Sequence, residues 1–97
     1  MKQKMLDTVI RTEERIDDGN SYSYQLMKRK GDSTANWQLP LYSFRINMID
    51  KRGQEREATA KDIFSDEGKA LAFFDKIVRN LATPIDLAYI IEDELHS

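Results

Sequence analysis

Polar and apolar residues alternate through most of the first two-thirds of the chain. Over residues 6–16 the apolar and β-branched positions are Leu6, Thr8, Ile10, Thr12 and Ile16, with charged residues between them. A period of two describes a strand with one buried face. Glu14 interrupts the series, and Val9 stands on the opposite side. Asp17-Asp18-Gly19-Asn20 has turn chemistry, with Gly19 and Asn20 the residues expected at positive φ. Residues 21–30 alternate again. Tyr22, Tyr24, Leu26 and the stem of Lys28 share one side, Ser21, Ser23, Gln25 and Arg29 share the other, and Met27 departs from the series. Two such runs around a short turn predict a hairpin.

Gly31, Asp32, Ser33, Thr34 and Asn36 then break regular structure up to Pro40, and the single tryptophan, Trp37, lies among them. Residues 41–50 show the clearest alternation. Tyr42, Phe44, Ile46 and Met48 oppose Ser43, Arg45 and Asn47, with Ile49 out of phase. Asp50-Lys51-Arg52-Gly53 reads as a type I turn closed by a left-handed glycine. Residues 54–63 alternate weakly, with Arg56, Ala58 and Ala60 inward and Glu55, Glu57, Thr59 and Lys61 outward. The two alanines leave room for a helix to approach.

After Phe64 the period lengthens. Ser65 is the expected cap of a helix over residues 66–81, with Asp66 and Glu67 in its first turn. Ala70, Leu71, Phe74, Ile77, Val78 and Leu81 form its apolar stripe, flanked by Phe73. Thr83 caps a second helix over residues 84–95, Pro84 occupies its first position, and Asp86 completes a capping box. Leu87, Ala88, Ile91 and Leu95 are its expected inner face. The predicted fold is α+β: a four-stranded antiparallel β-meander followed by a two-helix hairpin packed on one sheet face.

The tail has recognisable motifs: Asp62-Ile63-Phe64-Ser65-Asp66, then Thr83-Pro84-Ile85-Asp86-Leu87, then Ile91-Glu92-Asp93-Glu94-Leu95, preceded by the strand Tyr42-Ser43-Phe44-Arg45-Ile46. In these the stretch from Tyr22 to Leu95 resembles a family of small uncharacterised proteins from clostridia-like Firmicutes, a domain of unknown function. The chain departs from that pattern by carrying Asp86 where a histidine is common. The resemblance implies a fold and a bacterial cytoplasm, and no activity.

At 97 residues the chain fits one domain with one core. It has no cysteine, so it has no disulfide or thiolate metal site, and a reducing cytoplasm is the expected compartment. No apolar run reaches the ~20 residues that span a bilayer, and no membrane partner is expected. The net charge of −2 is unevenly spread. Residues 1–61 hold twelve Lys/Arg against nine Asp/Glu, and residues 62–97 hold three against eight.

No cofactor or catalytic constellation is visible. His96, the single histidine, stands next to last, no G-x-S-x-G elbow occurs, and the glycines are isolated. Glu92 and His96 are four apart on a helix, but two ligands do not make a metal site. The carboxylates of Glu92, Asp93 and Glu94 oppose the helix dipole and need a basic answer. Lys28, Arg29, Lys51, Arg52 or another chain are the expected sources. Trp37 is a candidate anchor for a partner. Val9, Met27 and Ile49 are expected on the sheet's outer face, where adjacency would make an apolar patch. The leading expectation is a non-catalytic module binding protein, including another copy of itself. The alternative is single-stranded nucleic acid on Tyr22, Tyr24, Tyr42 and Phe44 with nearby cations.

Overall fold

A computed structural model describes residues 7–29 and 40–96. Four strands, β1 (Thr8–Asp17), β2 (Asn20–Arg29), β3 (Leu41–Ile49) and β4 (Glu55–Phe64), are followed by helices α1 (Glu67–Arg79) and α2 (Pro84–Leu95). The sheet order is β1-β2-β3-β4 and every pair is antiparallel. Both helices cover one face, as the expected α+β meander with a helical hairpin requires.

The core lies between the two layers. Tyr22, Tyr24 and Leu26 of β2 and Tyr42, Phe44 and Ile46 of β3 meet Ala70, Phe73, Phe74, Ile77 and Val78 of α1 and Leu87 and Ile91 of α2. Ala58 and Ala60 stand opposite Ile46 and Phe44 on β3 and pack against this core. Phe44, Phe64 and Phe73 meet edge to face, with centroids 4.9–6.0 Å apart. Such arrangements add about 0.5–1.5 kcal/mol per pair beyond burial alone.

The β1–β2 and β3–β4 turns each have left-handed residues. Asp17 and Asn20 pair across a two-residue turn in which Asp18 (φ 52°) and Gly19 (φ 82°) are left-handed. Positive φ thus falls one residue earlier than expected, because Asn20 already belongs to β2. The second turn matches expectation. Gly53 N–H donates to Asp50 O at 2.8 Å with φ 85°. The Asp50 carboxylate accepts from the backbone N–H groups of Arg52 and Gln54. The two turns are tied together, since Lys51 N–H donates to Asn20 Oδ1 at 3.1 Å.

The helix ends differ from each other. Thr83 and Asp86 exchange both capping-box bonds, at 3.2 and 3.1 Å. At α1 the cap is Asp66 rather than Ser65, and no side chain closes it. Helix α1 also stops at Arg79 instead of running to Leu81, whose φ of 51° reverses the chain. On α2 the buried face is narrower than expected. Ala88 and Leu95 are exposed, and Pro84, Leu87 and Ile91 are the buried contacts.

The largest departure is at β1. An amphipathic strand was expected, yet β1 is exposed on both faces. A bulge between Val9 and Arg11 shifts the register, so Val9 opposes Met27 while Arg11 opposes Leu26. Beyond the bulge Arg11, Glu13 and Arg15 lie beside Leu26, Tyr24 and Tyr22 on the helix side. Thr12, Glu14 and Ile16 take the outer side, against Gln25, Ser23 and Ser21.

Replacing Thr83 with Ala removes one capping bond and lowers stability by about 1 kcal/mol, read as a lower urea midpoint at unchanged m-value. The Asp50 carboxyl is held below its ordinary value, first by the Gln54 N–H; desolvation, the next largest influence, opposes this, and the Arg52 N–H and the charges of Arg56 and Arg52 add to the lowering. A depressed folded value stabilises the fold above the ordinary carboxylate value and loses that contribution as pH falls through the folded one. The Asp50 carboxyl carbon is therefore expected to titrate below ~3.9 by NMR, and a midpoint at or above it contradicts the assignment.

Candidate interaction surface

The first strand of a meander is an edge. In β1 that edge is ten residues long, and the helices pack on β2, β3 and β4 instead. A pair flanking a two-residue turn exchanges both of its backbone hydrogen bonds. Asp17–Asn20 is such a pair, so Asp17, Arg15, Glu13 and Arg11 direct their backbone groups at β2. The alternate residues Ile16, Glu14 and Thr12 direct theirs away from the sheet. Among the described residues, nothing pairs with this row of backbone donors and acceptors beyond β1.

On the helix side, the overhang of β1 leaves a cleft of about 540 Å³ against α1. Its strand wall carries Glu13, Arg15 and Asp17, and its helix wall carries Asp75, Val78 and Arg79. Arg15 already holds Glu13 at 3.1 Å and donates to Glu14 O at 2.8 Å. The cleft thus alternates in charge along its strand wall.

The outer sheet face is polar in its middle. Arg45 donates to Gln25 Oε1 at 3.3 Å, and Asn47 donates to Glu55 at 2.7 Å and Glu57 at 3.4 Å. Arg45 Nε lies 3.4 Å from Glu57 Oε2, close enough for charge attraction but without hydrogen-bond geometry. The expected patch of Val9, Met27 and Ile49 does not form. Met27 is only 4 % exposed. Its row, Met27–Ser43, lies six residues from the Ser21–Ile49 row, or ~20 Å. Val9 remains half-exposed beside Met27. Ile49 instead shares the far corner with Ile16, which is 80 % exposed, across a shallow hollow of about 460 Å³. Trp37 lies outside the described residues.

A charged cluster sits at the opposite end. In the β4 bulge, Asp62 adopts φ 56° and its carboxylate pairs with Arg29. Its N–H donates to the buried Ser43 Oγ at 2.8 Å, which replaces the ladder partner lost at the bulge. Lys61 reaches Asp7 at 3.7 Å. One oxygen of each acid, Asp7 Oδ1 and Asp62 Oδ1, is buried without a hydrogen-bond partner among the described residues.

The acidic end of α2 is answered from an unexpected direction. Lys76 of α1 holds Glu94 at 3.2 Å, while Glu92 and Asp93 stay exposed. Two of the strand cations named as sources are engaged elsewhere. Arg29 pairs with Asp62 and Lys51 lies 3.6 Å from Asp18, while Lys28 stands 5.9 Å above the Tyr42 ring. Among the described residues no group of three or more His, Asp or Glu is placed to hold a metal ion. None of their helices is long and apolar enough to cross a membrane.

The four rings of the nucleic-acid reading, Tyr22, Tyr24, Tyr42 and Phe44, are buried between the layers and present no face for stacking. Burial is also the main reason the Tyr24 hydroxyl is held well above its ordinary value, with the Tyr22 charge adding to it. Sequence reasoning did not name Glu13, Glu14, Arg15 or Ile16 as candidate interaction residues. Counting back from the turn would have found them, since pairing Asp17 with Asn20 puts Arg15 beside Tyr22 and Ile16 beside Ser21.

No curated protein and no solved structure matches this chain. A family model does match, over residues 3–97, which takes in the whole meander and both helices. The chain therefore belongs to DUF6514, a family of unknown function.

Proposed function

We propose that the chain is a non-catalytic protein-interaction module that takes its partner by strand addition at β1. The observation that carries this reading is the ten-residue edge strand itself, exposed on both faces and left uncovered by the helices. An added strand gains backbone hydrogen bonds along Thr12, Glu14 and Ile16, and side-chain pairs with Arg11, Glu13 and Arg15 supply the selectivity. These groups hold a polypeptide and do no covalent chemistry, which favours binding over catalysis. The cysteine-free composition suits a reducing cytoplasm, and that location is part of the same proposal.

Glu14→Pro tests the edge directly. Its N–H faces away from β2, so proline removes an outward donor without breaking the ladder. The variant is expected to lose less than about 1 kcal/mol of stability. Affinity enrichment from cell extract is expected to retain a set of proteins on the wild type and on an Ile85→Ser control, an exposed site on α2, which packs on β3 and β4. Glu14→Pro is expected to lose that set. Equal retention by all three sinks the proposal.

A further inference from the structure

We propose that the strand added at β1 is β1 of a second copy, antiparallel and in one register, with the two-fold axis at Glu14. This rests on the strand-addition reading and names its occupant. The regular part of the edge is residues 11–17, beyond the bulge at Val9/Arg11. An axis perpendicular to the sheet keeps the helix layers of both copies on one side. Glu14 then meets the partner's Glu14, and Thr12 meets the partner's Ile16 in both directions. These are the residues whose backbone groups face outward, so each of the three pairs exchanges two hydrogen bonds.

The side chains select this register. On the helix side the order is Arg11, Glu13, Arg15, Asp17. Reversed upon itself about Glu14, it sets Arg11 against the partner's Asp17 and Glu13 against the partner's Arg15. Symmetry repeats both pairs, so every charge on that side meets its opposite. Centring on Glu13 instead sets Arg11 against the partner's Arg15. Centring on Arg15 sets Glu13 against the partner's Asp17. Centring on Thr12 keeps the Arg11–Glu13 match but draws the bulged Ile10 into the ladder.

Charged residues normally guard an edge against pairing. A guard of one sign repels every copy, whereas alternating signs repel the registers centred on Glu13 and Arg15. Of the charge-matched registers, the bulge excludes centring on Thr12, and the Asp18-Gly19 turn, which would have to face Glu14, excludes centring on Ile16. The Glu14 pair on the axis is the single mismatch, a like-charge opposition on the outer face. It limits the dimer's strength and marks its position. Ile16, largely exposed in one chain, gains the partner's Thr12 as its neighbour.

Sedimentation equilibrium of the full chain at low salt tests the register. The mass is expected to rise from 11.3 kDa toward twice that value with concentration. Arg15→Glu turns two attractive pairs repulsive and weakens association by at least about tenfold. The charge swap Glu13→Arg with Arg15→Glu restores it to within about threefold of wild type, because the pair is reversed but still complementary. Glu14→Gln tightens it by about threefold. All three residues are exposed or nearly so, and unchanged circular dichroism checks that the variants fold. A monomer at ~1 mM, or a dimer in which Arg15→Glu and the swap behave alike, overturns the proposed pairing. A monomer whose captured proteins still depend on Glu14 overturns self-pairing and leaves strand addition standing. A dimer indifferent to Glu14→Pro overturns self-pairing at β1, and strand addition falls with it only where the captured proteins are also indifferent to that substitution.

Discussion

The hydroxyl of Tyr24 donates to the carbonyl of Ala82 at 2.9 Å, inside the core and between the layers. A buried polar group without a partner costs about 1–3 kcal/mol, so this bond constrains where the helical hairpin can sit. Tyr24 lies in the middle of β2, and Ala82 lies in the reversal between the helices. The reversal is shaped to deliver that carbonyl. Leu81 N–H donates to Val78 O, Ala82 N–H donates to Ile77 O, and Leu81 is left-handed. Thr83 then starts α2 with its capping box. At the other end of α1, the Tyr42 hydroxyl donates to Glu67 at 3.3 Å and gives the hairpin a second fixed point. With its turn held over β2 and its start held over β3, the hairpin covers β2, β3 and β4. The open edge at β1 is a consequence of that placement.

The fold was readable because its elements carry local signatures that agree with their tertiary roles. Tyr42, Phe44 and Ile46 alternate and are buried, and Thr83, Pro84 and Asp86 cap the helix they precede. Agreement across levels is what makes a sequence legible. β1 was misread for the opposite reason. Its β-branched residues keep a period of two, but no second layer lies beside them, and the bulge inverts the phase midway. Periodicity reports which residues share a face and does not report whether that face is covered. Only the turn pairing held the answer. The Lys76–Glu94 bond was hidden in another way, since it joins two helices that sequence reading treats one at a time.

The candidate surface was less legible than the fold because exposure is a property of neighbours. Met27 and Val9 break the alternation in the same way, yet one is buried and the other is half-exposed. Ile16 fits the alternation and is the most exposed large aliphatic among the described residues. An apolar residue in phase with a strand is therefore no sign of burial at an edge. The polar centre of the outer face, built by Gln25, Arg45, Asn47, Glu55 and Glu57, separates the apolar corner from the charged end. The middle of that face is partly solvated, whereas Met27 and Ser43 toward the charged end are buried, which moves attention from the face to its rim.

The bulges decide how much of the rim is usable. One lies in β1 beside Met27, and the other lies in β4 beside Ser43, and Met27 and Ser43 are themselves paired. A single row of the sheet is thus flanked by irregularity at both edges. Bulges raise local twist and interrupt the regular spacing that an added strand must match. In β4 the irregularity is locked in place by Ser43 and Arg29 acting on Asp62. At the β1 edge the bulge divides the strand, and the seven residues from Arg11 to Asp17 keep a regular register up to the Asp18-Gly19 turn. Seven residues carry three outward-facing backbone positions and four charges of alternating sign on the helix side. A short regular stretch limits how much strand an uncovered edge can template.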